Sequence, residues 1–94
     1  MGTQPRAQPK LLPAKLLFIR QQLGLSQSEM VRALKLPWDY SPARISEYEV
    51  GHREPNLIVL LHYSKVSRVS INDLADDDIE VEDLEVKRPR RRLF

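Results

Sequence analysis

The chain has no cysteine, so a disulfide framework and a thiolate metal site are both excluded. It has two histidines, His52 and His62, and neither sits at a ligand spacing that would hold zinc. Its longest apolar stretch, Leu57 to Leu61, is far too short to span a bilayer, and no signal peptide with a small-residue cleavage site is visible. A soluble, cytoplasmic protein is expected. Missing as well are a phosphate-binding glycine loop, paired carboxylates in a cleft-like pattern, and a nucleophile with a base at meaningful spacing. An enzyme is therefore not expected, and no cofactor is called for.

What remains is a chain of 94 residues, enough for one small domain with tails. A domain of this size buries only a modest share of its surface and gains from oligomerisation. The overall charge of +2 conceals a strong polarity. Residues 1–72 carry ten basic against five acidic side chains, residues 73–86 carry eight acids and no base, and residues 87–94 carry five bases. A basic body with separate charged arms points to a polyanionic partner.

The helix signals run in order. Residues 1–12, with Pro5 and Pro9, read as a flexible arm. Pro13 suits the first turn of a helix, Leu16, Ile19, Arg20 and Leu23 share one stripe, and Gly24 stops it. Ser26-Gln27-Ser28-Glu29 is a capping box opening a second helix, with Met30, Ala33 and Leu34 inward and Pro37 beyond its end. Ser41-Pro42 opens a third, with Ile45, Tyr48 and Glu49 on one face and Gly51 after it. Asn56 caps a fourth, whose buried stripe is expected to be Leu57, Leu60 and Leu61. Ser70 and Asp73 start a short fifth helix ending near Asp76. Residues 79–86 partly alternate apolar with acidic, as a half-exposed strand would, although Asp83-Leu84 breaks the alternation; strand and disorder both remain open. The domain is thus expected at 13–76, with 77–94 an acidic segment and basic tail.

Arg20 and Glu49 each lie on an apolar stripe. A buried charge is costly unless paired, so an ion pair joining the first and third helices is the simplest solution. The alternative is that each side chain reaches solvent along its own stem.

With Arg20, Gly24, Ser26-Gln27, Met30 to Leu34, Glu49-Val50-Gly51, Pro55, Leu57 to Leu61 and Ser70 to Leu74 in this order, the chain resembles the XRE/Cro-type helix-turn-helix family, which includes phage repressors. The resemblance covers about residues 15–75. It implies an all-α, five-helix repressor-like domain that places its third helix, about residues 42–50, in the major groove of double-stranded DNA. It also implies a sequence-specific transcriptional regulator, acting as a repressor and a homodimer.

Carried over residue by residue, the resemblance makes Arg20 and Glu49 a structural ion pair and Gln27 a phosphate contact. It places the usual base-reading positions on Pro42 and Ala43. Neither can make bidentate hydrogen bonds to a base edge, although Ala43 can touch a thymine methyl. Arg44, Ser46 and Glu47 are the other outward candidates for base readout: Arg44 toward guanine or toward phosphate, Glu47 toward a cytosine amino group. Phosphate candidates are Gln27, Ser41, His52, Arg53 and Lys15, with Arg6 and Lys10 extending the footprint from the arm. About four residues, Pro37 to Tyr40, are inserted relative to the family between the second and third helices. Trp38 there is expected to fold back over the core as a lid, or else to pack with Tyr40 on the DNA backbone. The basic tail from Lys87 to Arg92 suits a minor groove, or an intramolecular contact with the acidic residues 76–85. A second function class is an antitoxin-like or coactivator-type interaction module that grips a protein partner through residues 76–94.

Overall fold

Serine hydroxyl and asparagine amide oxygens set where the second to fifth helices begin, and Pro13 stands in the first turn of the first. In the computed structural model, which describes residues 8–87, the helices are α1 (Leu12–Leu23), α2 (Gln27–Leu34), α3 (Pro42–Val50), α4 (Leu57–Ser67) and α5 (Ile71–Ala75). Ser26 Oγ accepts from the Glu29 N–H at 3.1 Å while the Ser26 N–H donates to the Glu29 carboxylate at 2.8 Å, completing the reciprocal cap of α2. Ser41, Asn56 and Ser70 accept from the N–H groups of Ala43, Val59 and Asp73, capping α3, α4 and α5. Gly24 and Gly51 end α1 and α3 at φ of 71° and 82°, a left-handed backbone that glycine enters without a Cβ penalty.

The core draws on every helix. Leu12, Leu16, Ile19 and Leu23 of α1 meet Met30, Ala33 and Leu34 of α2, Ile45 and Tyr48 of α3, Val59, Tyr63 and Val66 of α4, and Leu74 of α5. Burying each such side chain is worth about 1.5–3 kcal/mol, which a domain this small needs from nearly all of them. His62 Nδ1 lies 2.7 Å from the Leu34 carbonyl oxygen and ties α4 to the end of α2.

Of the stripe expected for α4, Leu60 packs against the core but Leu57 and Leu61 do not. Leu57 is 69% exposed and Leu61 39%, while Val59, Tyr63 and Val66 face the core. Five consecutive apolar residues offer no single face at the start of α4. The phase set by Leu57 runs on into Ser64, Lys65 and Arg68, whereas the phase set by Val59 runs on into Tyr63 and Val66.

Residues 79–86 form no strand, and no strand occurs among the described residues. Val81–Asp83 make one 3₁₀ turn, and Leu84 beyond it is buried in the core with Ile79 and Val86 packed alongside. The break at Asp83-Leu84 is the sequence trace of that turn. The Asp77 carboxylate accepts from the N–H groups of Lys10 and Leu11 at 2.9 and 3.0 Å, and the Lys87 N–H donates to the Ser67 carbonyl. Residues 77–87 thereby pack on the helical body.

Candidate nucleic-acid interface

Helix α3 is held from behind. Arg20 donates through Nε to Glu49 Oε2 at 2.6 Å and through Nη2 to Oε1 at 3.0 Å, and its Nη1 donates to the Leu25 carbonyl at 3.0 Å. The Glu49 side chain is 5% exposed and that of Arg20 17%, so the pair is largely removed from water. The hydrogen bond to Glu49 holds the Arg20 guanidinium above its ordinary range against the opposing effect of burial. Gln27 adds its amide, donating to Glu49 Oε1 at 3.2 Å. One carboxylate thus fixes α1, the turn after it and the start of α2 against the end of α3. Tyr63 lies fully buried in the same core, and burial raises its hydroxyl well above the usual tyrosine range.

The outward face of α3 begins at Ser41, whose hydroxyl oxygen accepts from the Ala43 N–H and keeps its own hydrogen to donate. Pro42 and Ala43 are exposed, and Arg44, Ser46 and Glu47 are half-exposed. Arg44 is placed by aromatic residues. Its guanidinium lies 5.3 Å over the Tyr40 ring, within cation–π range. The Tyr40 and Tyr48 hydroxyls hydrogen-bond to each other. Desolvation works against the charge on Arg44, but the two tyrosine hydroxyls outweigh it and hold the guanidinium above its ordinary range. Burial, then the bond to Tyr40, pushes the Tyr48 hydroxyl up in turn. Arg44 Nε also lies 3.1 Å from Glu47 Oε1, and Arg53 Nε lies 3.4 Å from the same oxygen.

The support from Tyr40 and Tyr48 was not expected from the sequence, though it left a trace. Tyr40, Arg44 and Tyr48 recur every four residues, the spacing that puts side chains along one side of a helical path. Trp38 does not close over the core. It is 39% exposed and meets Tyr40 edge-on with ring centroids 6.0 Å apart, so Tyr40 is the residue of the inserted loop that packs inward.

Of the expected phosphate contacts, His52 and Arg53 are exposed in the loop after α3, Ser41 is exposed at its start, and Gln27 is half-buried against Glu49. Lys15 is a correction. It is fully buried, and its ammonium donates to the carbonyls of Asp73 and Asp76 at 2.6 and 2.7 Å. A lysine there satisfies the negative carbonyl end of α5 and is not available to DNA. The spacing held the signal, because Lys15 stands three residues after Leu12 and four before Ile19, inside the apolar stripe. Lys10 is exposed. Arg6 and the basic tail from Arg88 to Arg92 lie outside the described residues.

Among the described residues no group of three or more His, Asp or Glu is placed to hold a metal ion. A small cleft lined by Pro9, Pro13, Tyr48, Gly51 and Pro55 has a volume of about 20 Å³, room for a water molecule, and a wider, open depression of about 310 Å³ lies between Arg68, Ser70, Asp73, Asp83 and Glu85. Among the described residues no helix is long and apolar enough to cross a membrane.

Helix α3 is thus braced from behind by a largely buried ion pair, with its outer face open and arginines near its start and just past its end. The helix-turn-helix family model matches residues 16–74, and the chain belongs to the XRE/Cro-type helix-turn-helix family. Domains of this family bind DNA and are typically non-enzymatic regulators. No curated protein and no solved structure shows significant similarity to the chain.

Proposed function

We propose that this protein is a sequence-specific transcriptional repressor that acts inside the cell as a homodimer and inserts α3 into the major groove. The observation that carries the reading is the treatment of Arg44: an outward arginine on the braced helix, laid across the Tyr40 ring and paired with Glu47. A guanidinium pre-organised in this way loses little side-chain entropy on binding and suits the O6/N7 edge of guanine. Glu47, one turn further on, accepts from a cytosine amino group, Ala43 touches a thymine methyl, and Ser46 lines the same face. Gln27, Ser41, His52 and Arg53 bind phosphate on either side.

Dimerisation is supported by apolar residues left in solvent: Val50 at the end of α3, and Leu57, Ile58 and Leu61 on α4. Two copies would present their α3 helices to half-sites about 34 Å apart, one turn of DNA. The alternative, a protein-gripping module built on residues 76–94, loses support because Ile79, Leu84 and Val86 are turned into the chain's own core.

Titrating the isotope-labelled protein with a DNA duplex tests the placement. Amide shifts centred on Ala43 to Glu47, His52 and Arg53 support it, and shifts centred on α4 or on residues 77–87 contradict it.

A further inference from the structure

We propose that Glu47 sets the selectivity of this protein for its operator over bulk DNA, by holding Arg44 and Arg53 until a matching base pair takes its place; the inference rests on the DNA-binding reading above. The geometry is specific. A single oxygen, Glu47 Oε1, lies 3.1 Å from Arg44 Nε and 3.4 Å from Arg53 Nε. One carboxylate therefore bridges the arginine facing the bases and the arginine facing the backbone. Arg44 precedes Glu47 by three residues on α3, so both lie on the same face of the helix.

The strength of these pairs decides what they can do. The side chains of Arg44, Glu47 and Arg53 are 37%, 40% and 50% exposed, and ion pairs in that setting are weak. DNA can displace them. On a duplex of arbitrary sequence, phosphates draw away both arginines and leave Glu47 facing a polyanion without a cation or a hydrogen-bond donor. A carboxylate desolvated there is penalised. On a matching site a cytosine amino group donates to Glu47 while a guanine accepts from Arg44, and the penalty is relieved. Glu47 thus weakens non-specific binding more than specific binding. The implied operator carries a guanine and a cytosine within reach of one turn of α3.

The test compares the full chain with Glu47→Gln and Glu47→Ala. Two duplexes are used, one of random sequence and one selected by the wild-type protein. Removing the charge is expected to tighten binding to the random duplex by about tenfold at 0.15 M salt and to steepen its salt slope by about one. Affinity for the selected duplex changes less, so the specificity ratio falls. Glu47 is half-exposed and outside the core, and equal melting temperatures for the three proteins check that only the surface has changed. A ratio that stays the same in both variants overturns the inference while leaving DNA binding intact. A wild type that selects no duplex and does not bind the random one, even at low salt, overturns the DNA-binding reading and the inference with it.

Discussion

Arg20 of α1 and Glu49 of α3 meet through two parallel hydrogen bonds at 2.6 and 3.0 Å, and α3 takes its orientation from that junction. The residues are separated by 29 positions in the chain. Their contact turns a local helix into one aimed by the fold, since Glu49 also receives the Gln27 amide. A bidentate arginine–carboxylate pair is directional as well as strong, which is what positioning requires.

Breaking that junction from either side leaves an uncompensated charge in a nearly dry place. Arg20→Ala and Glu49→Ala are each expected to lower stability by about 3–5 kcal/mol. The double variant is expected to lose less than the sum, because neither charge is then stranded. Chemical denaturation of the four proteins measures this, and unchanged unfolding midpoints in both single variants would retire the pair as a structural element.

The two outward arginines separate by their effect on sequence. Arg44→Ala is expected to cost about 1–3 kcal/mol on the operator and to relax preference at one base pair. Arg53→Ala is expected to weaken all sequences alike and to flatten the salt slope by roughly one unit. Binding isotherms on matched and single-substituted duplexes across a salt series distinguish them.

Lys15 provides the contrast. Lys15→Ala removes two charge-assisted hydrogen bonds to the end of α5 and empties a fully buried site, and it is expected to cost about 3 kcal/mol of stability. The salt slope of DNA binding is expected not to change. A lysine that touched phosphate would show the reverse, a flatter slope with an unaltered melting temperature.

Two exposed carboxylates make stability depend on pH. Backbone N–H groups of Lys10 and Leu11 hold Asp77 below its ordinary value of 3.8, and the Ser26 N–H with the Ser26 hydroxyl holds Glu29 below 4.5. Each is more acidic folded than unfolded. The stabilisation is therefore present above those ordinary values and is lost as pH falls through the lower folded ones. Asp77→Asn and Glu29→Gln are expected to flatten the fall in melting temperature below about pH 4.5. They should leave the neutral-pH slope alone.

Much of this was legible in the chain because capping is local. Ser26, Ser41, Asn56 and Ser70 act on atoms two or three residues away, so the helix starts could be read directly. The Arg20–Glu49 pair was legible for another reason: a charge on an apolar stripe demands a partner. That rule applied equally to Lys15, whose partners are carbonyls 58 and 61 residues away and carry no side-chain signature. The face of α4 was misread where five apolar residues in a row erase the period. The Arg44–Glu47 pair follows from a three-residue spacing on α3, but the approach of Arg53 to the same oxygen depends on how the loop after α3 folds back, which no spacing encodes.

The central claim is that α3 reads base sequence despite Pro42 and Ala43 at its start. Selection from a random duplex library at about 0.15 M salt, where purely electrostatic binding is suppressed, tests it most directly. The expected result is an enriched two-fold symmetric motif with half-sites about one DNA turn apart and a guanine that is lost as a preference in Arg44→Ala. Salt-sensitive binding that enriches no motif would contradict it.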